Sequence, residues 1–404
     1  MNHPCKIISF LALFVGILAC NNNSPIKISE VDGHDFVSCN IDKIKNTYNL
    51  KLSEVAEYSE IVVLSNDPSL EDEDYNIQRT FVSDKYIIVM PWTRPALLYS
   101  RDGKFIKRLF SSDKVKNLLW GLYAQIDDEN DKFYLLVAGL KLLIFNLHDN
   151  NVIYIPKATE YIWDFVLIDG DKIFATFENN QNIWALIQPI YAPKAEYLHG
   201  RVSNNLLNKI SNSSGKILMW GNTIILSFSS ANDTSYYYNP KNKTFSPFLR
   251  CFSPKNSIDL NKRIKNSPEL LAVAETRLLT NNKLLHKRLF FVSDRYNLFS
   301  LHYGTNKYFI VDKHGEQAYF LNKIVNDFWG GLGMNYESMF SGWQYINNND
   351  GYLTFNYSTA KLREEITKLN IDTLEEIGKN KLIKLNNKIK TDNCNVLFIS
   401  KLKK

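Results

Sequence analysis

Short apolar segments separated by turn residues recur along almost the whole chain, and this recurrence limits the possible folds more than any other feature. Gly121–Pro156 shows it most clearly, because four short stretches rich in Ile, Val, Tyr and Phe follow one another there. Asn, Asp and Gly separate these stretches, which is typical of an antiparallel meander. One such sheet cannot bury both of its faces alone, so the pattern predicts similar sheets as neighbours.

The four-strand pattern repeats and predicts six units. The first five are predicted over Ile77–Phe110, Gly121–Pro156, Trp163–Leu198, Lys216–Leu249 and Arg288–Leu321. The sixth, formed by Ser338–Ile346, Tyr352–Tyr357 and Asn395–Leu402, is one strand short, whereas Ala56–Ser65 is a spare strand near the other end. Pairing the two closes a ring and removes an exposed sheet edge. We therefore predict an all-β fold, a six-bladed β-propeller closed by an N-terminal strand.

A helical insertion is predicted in the last blade, over residues 361–388. The segments LREEITKL and TLEEIGKNKLIKL have apolar residues at i, i+3 and i+4 and few turn residues. The predicted organisation is a signal peptide over 1–19, a lipid-anchored tether and lead-in over 20–50, and the propeller over 51–404. Because the units are irregularly spaced, a seven-bladed ring and a pair of β-sandwiches stay open as alternatives.

The first twenty residues have the pattern of a bacterial export signal. Lys6 precedes a mainly apolar run, Ile7–Ala19, which is too short to span a bilayer. Cys20 follows directly and resembles the cysteine of a lipobox, which becomes the acylated N-terminus. No acidic residue follows immediately, which favours an outer-membrane lipoprotein that faces the periplasm. The alternative is an ordinary signal peptide with a chance cysteine.

Charge and cysteine content argue against several classes of protein. The formal net charge of +6 is spread along the chain, whereas nucleic-acid binding requires a concentrated basic surface. The five cysteines lack the close spacing of metal sites, and Cys251 and Cys394 are predicted to be free thiols. The sequence predicts neither a cofactor, a metal nor a nucleic-acid partner.

Three segments resemble a known family. EYSEIVVLSNDP, YIIVMP with LLYSRDGKFIKRLF, and the ending NCNVLFISKLKK resemble the six-bladed, NHL-like β-propeller lipoproteins that are abundant in Bacteroidetes. The resemblance covers most of Leu52–Leu402. Asn395 stands where that family commonly has proline, and Ser111–Lys114 replaces a glycine-rich run. The resemblance implies a propeller fold and a cell-envelope location, but no reaction.

A ligand site is predicted on the propeller face at which the first strand of each blade begins, because loops from every blade converge there. Aromatic side chains with polar neighbours on this rim would suit a sugar ring or a peptide. The predicted rim consists of Trp92, Arg94, Trp120, Trp163, Asp164, His302, Tyr303 and Trp329. The alternative is that each tryptophan wedges between two blades. Trp184 is predicted to be core, and Trp220 to lie on the opposite face.

No catalytic motif stands out from the sequence. We therefore predict a lipid-anchored envelope scaffold that binds a protein, peptide or glycan partner, rather than an enzyme. Two alternatives stay open, a propeller hydrolase or lyase acting in the channel and a structural subunit of an envelope complex. A calcium-dependent enzyme would draw its ligands from Asp164, Asn232, Asp233, Asn306 and Glu337.

Overall fold

The structure is a computed structural model and forms a six-bladed β-propeller from six small sheets. It describes residues 24–65, 77–91, 96–109, 123–137, 141–149, 151–155, 162–177, 183–192, 194–200, 216–227, 234–254, 286–303, 305–334, 351–369, 376–389 and 395–403. The predicted fold class is confirmed.

The first three blades are four-stranded antiparallel meanders, as the sequence predicts. Blade one contains β5 (Ile77–Val82), β6 (Tyr86–Pro91), β7 (Leu97–Ser100) and β8 (Phe105–Arg108). Blade two contains β9 (Tyr123–Asp127), β10 (Lys132–Val137), β11 (Lys141–Asn146) and β12 (Val152–Ile155). Blade three contains β13 (Ile162–Ile168), β14 (Lys172–Phe177), β15 (Ile183–Pro189) and β16 (Glu196–His199). The second strands are almost continuously apolar because neighbouring blades cover both of their faces.

The fourth and fifth blades have the same core and carry additional strands. Blade four contains β17 (Lys216–Trp220), β18 (Thr223–Ser227), β19 (Thr234–Asn239) and β20 (Thr244–Phe252). Blade five contains β21 (His286–Val292), β22 (Tyr296–Tyr303), β23 (Thr305–Asp312) and β24 (Gln317–Asn326), with β25 (Leu332–Met334) paired to β24. The first strands of blades one to five lie side by side around the ring. The face at which they begin is the entry face, and the face with the turns between first and second strands is the turn face.

The sixth blade joins the two ends of the chain. Its described strands are β26 (Tyr352–Ser358), β27 (Asn395–Leu402) and β4 (Ala56–Val63). β27 lies between β26 and β4 and is antiparallel to both, with Val396 opposite Val63 and Ser400 opposite Ser59. The predicted closure by an N-terminal strand is therefore confirmed. Ser338–Ile346, predicted as the first strand of this blade, lies outside the described residues.

Six hydrophobic clusters lie at the six junctions between consecutive blades. The cluster between blades six and one combines Val62 and Leu397 with Ile87 and Tyr99. Apolar area is buried at every junction, including this one, and this burial stabilises the ring. Each sheet therefore packs against a neighbouring sheet on both of its faces. The ring is therefore closed by packing as well as by strand pairing.

A glycine allows the turn of blade one to approach the closing strand. Gly103 has φ +88°, and a Cβ at this position would lie 2.5 Å from the carbonyl oxygen of Val63. The Gly103 carbonyl oxygen accepts a hydrogen bond from the Ser65 amide at 2.9 Å. A second hydrogen bond joins blade six to blade one, since the Tyr352 hydroxyl of β26 donates to Asp84, whose pKa is held below its ordinary value chiefly by this hydrogen bond.

The lead-in is folded onto the outside of two blades. β1 (Ile26–Val31) and β2 (His34–Asn40) form a hairpin, and β2 extends blade four by pairing in parallel with β20. After a 3-10 turn at Ile41–Lys43, β3 (Thr47–Lys51) pairs in parallel with β24 of blade five. A four-residue helix, α1 (Leu52–Val55), then leads into β4. Residues 26–51, predicted as part of the tether and lead-in, thus contribute three strands.

Glu54 connects this lead-in to blade five. Its carboxylate accepts hydrogen bonds from the Tyr48 hydroxyl at 2.7 Å and from the Tyr296 hydroxyl at 2.9 Å. Burial, followed by the bond to Glu54, raises the pKa of Tyr48 to about 12. One carboxylate therefore joins β3, α1 and β22.

We expect Glu54→Ala to lower the free energy of unfolding by about 1–3 kcal/mol, because two partly buried hydroxyls lose a charged acceptor. Denaturant unfolding measures the change. Glu57→Ala is the matched control, since Glu57 is exposed and should change stability by no more than about 0.5 kcal/mol. Equal effects of the two substitutions would contradict the assigned role of Glu54.

The predicted helical insertion is present in the last blade. It contains α2 (Thr359–Thr367) and α3 (Glu376–Lys388). The cluster between blades five and six fully buries Leu362 of α2, Leu382 of α3 and Ile389, which directly follows α3. Both helices therefore pack against that junction and add apolar side chains to it. Among the described residues, no helix is long and apolar enough to cross a membrane.

Candidate functional site

The predicted rim is only partly described. Trp92, Arg94, Trp120 and the predicted acylation site Cys20 lie outside the described residues. Trp163 lies near the start of the first strand β13, and His302 and Tyr303 end the second strand β22, so their backbones share the entry face. A ligand site formed by these residues stays a prediction.

Asp164 is the best-described member of the predicted rim. It is 2% exposed, and its carboxylate accepts hydrogen bonds from the amides of Phe165 and Ile217, both at 2.9 Å. Ile217 belongs to the first strand of blade four. Asp164 therefore links the innermost strands of blades three and four, and this structural role is separate from any contact with a ligand.

We expect Asp164→Asn to lower the free energy of unfolding by about 1–3 kcal/mol, because the amide removes the charge and one acceptor from two buried N–H groups. Urea unfolding measures the loss. Asp171→Ala is the control, since the Asp171 side chain is 67% exposed and should contribute little. An Asp164 variant with unchanged stability would contradict this structural role.

Trp329 occupies a junction between blades. It lies in a 3-10 turn, Asp327–Trp329, directly after the outer strand β24. Its indole N–H donates to the Ser59 carbonyl oxygen at 3.0 Å, and its ring packs against the cluster between blades five and six. Lys381 of α3 lies 5.5 Å from the ring centroid. These contacts correspond to the wedge alternative for this tryptophan.

A separate cavity lies on the turn face between blades four and five. Its volume is about 710 Å³, and we call it the turn-face groove. Trp220 ends β17, Asp294 lies in the turn before β22, and Lys313 and His314 lie in the turn before β24. The prediction that Trp220 lies opposite the entry face agrees with this position.

Four aromatic side chains, Trp220, Tyr237, Tyr238 and Phe248, line the groove, and three of them form a stacked series. The ring of Tyr237 stacks on Phe248 with a centroid separation of 4.2 Å and an interplanar angle of 20°. Trp220 stacks on Tyr237 at 6.2 Å and 24°. Phe248 is buried, whereas Trp220 and Tyr237 are only partly covered. The groove therefore has a continuous aromatic surface that is anchored in the core at one end.

Charged groups surround this aromatic surface. The Lys313 ammonium lies 5.4 Å from the Trp220 ring centroid and donates to the Ser293 carbonyl oxygen at 2.6 Å. Burial lowers the pKa of Lys313, and the carboxylates of Asp294 and Asp35 oppose that change. Burial, followed by the same two carboxylates, raises the pKa of Tyr237 to about 12. The carboxylates of Asp35 and Asp294 thus both act electrostatically on the Lys313 ammonium and on the Tyr237 hydroxyl.

The lead-in supplies one wall of the groove. Ile28, His34, Asp35 and Val37 all come from the β1–β2 hairpin. The sequence analysis did not predict this hairpin. The feature that could have indicated it is the Asp32-Gly33 pair between two strand-like segments, because this pair suits a two-residue hairpin turn. Both residues have positive φ, +54° and +78°. The pairing of this hairpin with blade four has no local signal in the sequence.

The candidate calcium site stays a prediction, because the structure describes the side chain of only one of its five proposed ligands, Asp164, and only the backbone of Asn306. Asn232, Asp233 and Glu337 lie outside the described residues, and Asp164 binds backbone amides. Across the described part of the chain, no group of three or more His, Cys, Asp or Glu side chains is placed to bind a metal.

Comparison with known proteins supports the fold. No family model matches the chain, and no curated protein matches it. A protein described as exported, from Bacteroides fragilis, is 12% identical and has a TM-score of 0.56 over 89% of this chain and 99% of that chain.

Two further solved structures are more distant. The extracellular domain of a hybrid two-component system from Bacteroides thetaiotaomicron is 10% identical, with a TM-score of 0.36 over 61% of this chain and 30% of that chain. The N-terminal domain of Nup159 is 10% identical, with a TM-score of 0.39 over 69% of this chain and 70% of that chain. The chain is thus similar in fold to the exported Bacteroides fragilis protein.

Proposed function

We propose that this chain is an exported cell-envelope protein, anchored through a lipid on Cys20, whose propeller binds a protein, peptide or glycan partner. The observation that carries the proposal is the turn-face groove, a pocket of about 710 Å³ that combines aromatic and charged side chains. Pockets of this size with a few convergent polar groups are typical of binding sites. The export pattern of residues 1–20 and the likeness to an exported protein support the location.

The position of Ser24 relates the proposed anchor to the groove. The Ser24 hydroxyl donates to the Glu316 carbonyl oxygen at 3.1 Å, and Glu316 lies two residues after His314, which lines the groove. Ser24 is four residues after Cys20, and an extended chain of that length reaches about 14 Å. An acyl chain on Cys20 would therefore keep this side of the propeller close to a membrane surface.

Metabolic labelling tests the anchor. The full-length chain is expressed in a bacterial host that acylates lipoproteins, fed an alkyne-tagged palmitate and fractionated. We expect label and membrane association in the wild type and in Cys5→Ala, a matched leader cysteine, and loss of both in Cys20→Ala. An unlabelled wild-type protein in the soluble fraction would contradict the anchor.

Cross-linking in isolated membranes tests the binding role. We expect the wild-type chain to capture a defined partner, whether protein, peptide or glycan, and Trp220→Ala to lose it. Tyr191→Ala is the control, because Tyr191 is 64% exposed and lies outside the groove. Failure of the wild-type chain to capture any partner would contradict a binding role.

A further inference from the structure

We infer that the turn-face groove binds a neutral saccharide. This inference rests on the proposed function and names the class of partner. It concerns a site on the face opposite the predicted rim, built from blades four and five and the β1–β2 hairpin.

The aromatic surface suits the apolar face of a sugar ring. Trp220 and Tyr237 are nearly parallel and partly covered, and Phe248 fixes the position of Tyr237 from below. Such rings offer flat apolar area without loss of rotamer freedom on binding, because packing already holds them. A pyranose presents several C–H groups on one face and hydroxyls around its edge, which matches an aromatic surface bordered by polar groups.

The charges disfavour an ionic ligand. A cationic ligand would compete with Lys313, whose ammonium already lies over the Trp220 ring at 5.4 Å. An anionic ligand would meet the carboxylates of both Asp35 and Asp294, whose influence extends to Lys313 and Tyr237. The formal charge of about −1 from two carboxylates and one ammonium therefore opposes an anion, and the Lys313 ammonium already occupies the place of a cation over the indole, so a neutral ligand fits best.

Hydroxyl groups can satisfy both kinds of polar group at this border. A sugar hydroxyl donates to a carboxylate and accepts from an ammonium, and charge-assisted hydrogen bonds are the stronger ones. Asp35 and Asp294 are exposed and come from different elements, the hairpin and the turn before β22. They can therefore contact different hydroxyls of one ligand. The volume of about 710 Å³ lies within the range typical of small-molecule pockets.

Isothermal titration calorimetry with neutral oligosaccharides tests this inference. The probes are cellobiose, maltotriose, xylotriose and chitotriose at millimolar concentration, added to the full mature chain. We expect at least one probe to bind. Asp294→Asn should weaken that binding about tenfold, because an exposed carboxylate acceptor is replaced by an amide of the same size.

Three further variants separate the loss of ring stacking from a loss of folding. Trp220→Ala should abolish measurable binding, whereas Trp220→Phe should retain part of it because a flat ring remains. Tyr191→Ala, an exposed aromatic substitution outside the groove, should leave the affinity unchanged. Far-ultraviolet circular dichroism checks that every variant is folded.

Two outcomes would overturn the inference, and both are distinct from failure of the proposed function. One is that none of the four oligosaccharides binds the folded wild-type chain. The other is that binding is unaffected by both Asp294→Asn and Trp220→Ala. If membrane cross-linking still captures a protein or peptide partner in either case, the binding role stands and the saccharide assignment fails. If a saccharide binds but Cys20→Ala has no effect on location, the anchor alone fails.

Discussion

Phe398→Ala is expected to lower the free energy of unfolding by about 3–5 kcal/mol, as for other buried Phe-to-Ala substitutions. Phe398 is fully buried in β27, the strand that joins the C-terminal part of the chain to β4. Its ring lies 5.1 Å from that of Tyr357, and its register partner is Ile61. The substitution therefore opens a cavity where the ring of blades closes.

Denaturant unfolding measures this loss, with Ile106→Ala as the matched control. Ile106 also lies in a blade strand, but it is 45% exposed, so its truncation should change stability by no more than about 0.5 kcal/mol. Hydrogen exchange should show faster opening of β4 in Phe398→Ala. A loss below about 1 kcal/mol would mean that β27 is not a central strand of the closing blade.

Trp184→Ala should have an effect of similar size, also about 3–5 kcal/mol. Trp184 is 3% exposed in β15, and its ring lies 4.5 Å from that of Tyr236 and 5.3 Å from that of Phe245. A Cβ on Gly200 would lie 1.9 Å from the indole, so the ring packs directly on the glycine backbone. Alanine at position 184 would leave an indole-sized cavity between blades three and four.

Thermal unfolding followed by circular dichroism measures the effect of Trp184→Ala. Ile153→Ala is the control, because Ile153 is 46% exposed on the outer strand β12. Gly200→Ala should also destabilise the protein, since the methyl group displaces the indole. A Trp184→Ala variant as stable as the control would contradict the packing of this junction.

The core of the fold could be predicted from the sequence because the relevant signals are local. Each of the first five blades has alternating or continuous apolar strands and turn residues within about 35 residues, as in Gly121–Pro156. The closure followed from a count of strands, three in the last unit and one spare at Ala56–Ser65. Burial of Trp184 followed from its position in the middle of an apolar strand.

The lead-in could not be placed from the sequence, because its pairing depends on residues far away. β2 pairs in parallel with β20, and β3 with β24, across more than 200 residues of chain. Parallel pairing of this kind has no turn signal, and the exposed and buried positions of β1 alternate only weakly. The groove was missed for the same reason, since Asp35 meets Trp220 and Lys313 only after this pairing forms.

The roles of Asp164 and Trp329 were also difficult to predict from sequence alone. A polar or aromatic residue beside a blade strand has the same local pattern whether it binds a ligand or a neighbouring blade. Asp164 accepts from Ile217, and Trp329 donates to Ser59, and both partners are distant in sequence. Only the blade arrangement shows which junction each residue joins.

A disulfide across the closing strands tests the central claim, that β4 completes the last blade. The hydroxyl oxygens of Ser59 and Ser400 lie 3.0 Å apart, and both residues are buried register partners. Ser59→Cys combined with Ser400→Cys should therefore form a disulfide on oxidation, seen by non-reducing electrophoresis and by mass spectrometry of the linked peptides. Ser59→Cys combined with Ser227→Cys, a buried serine in blade four, should remain unlinked. A folded S59C/S400C protein that keeps both thiols free would contradict the closed ring.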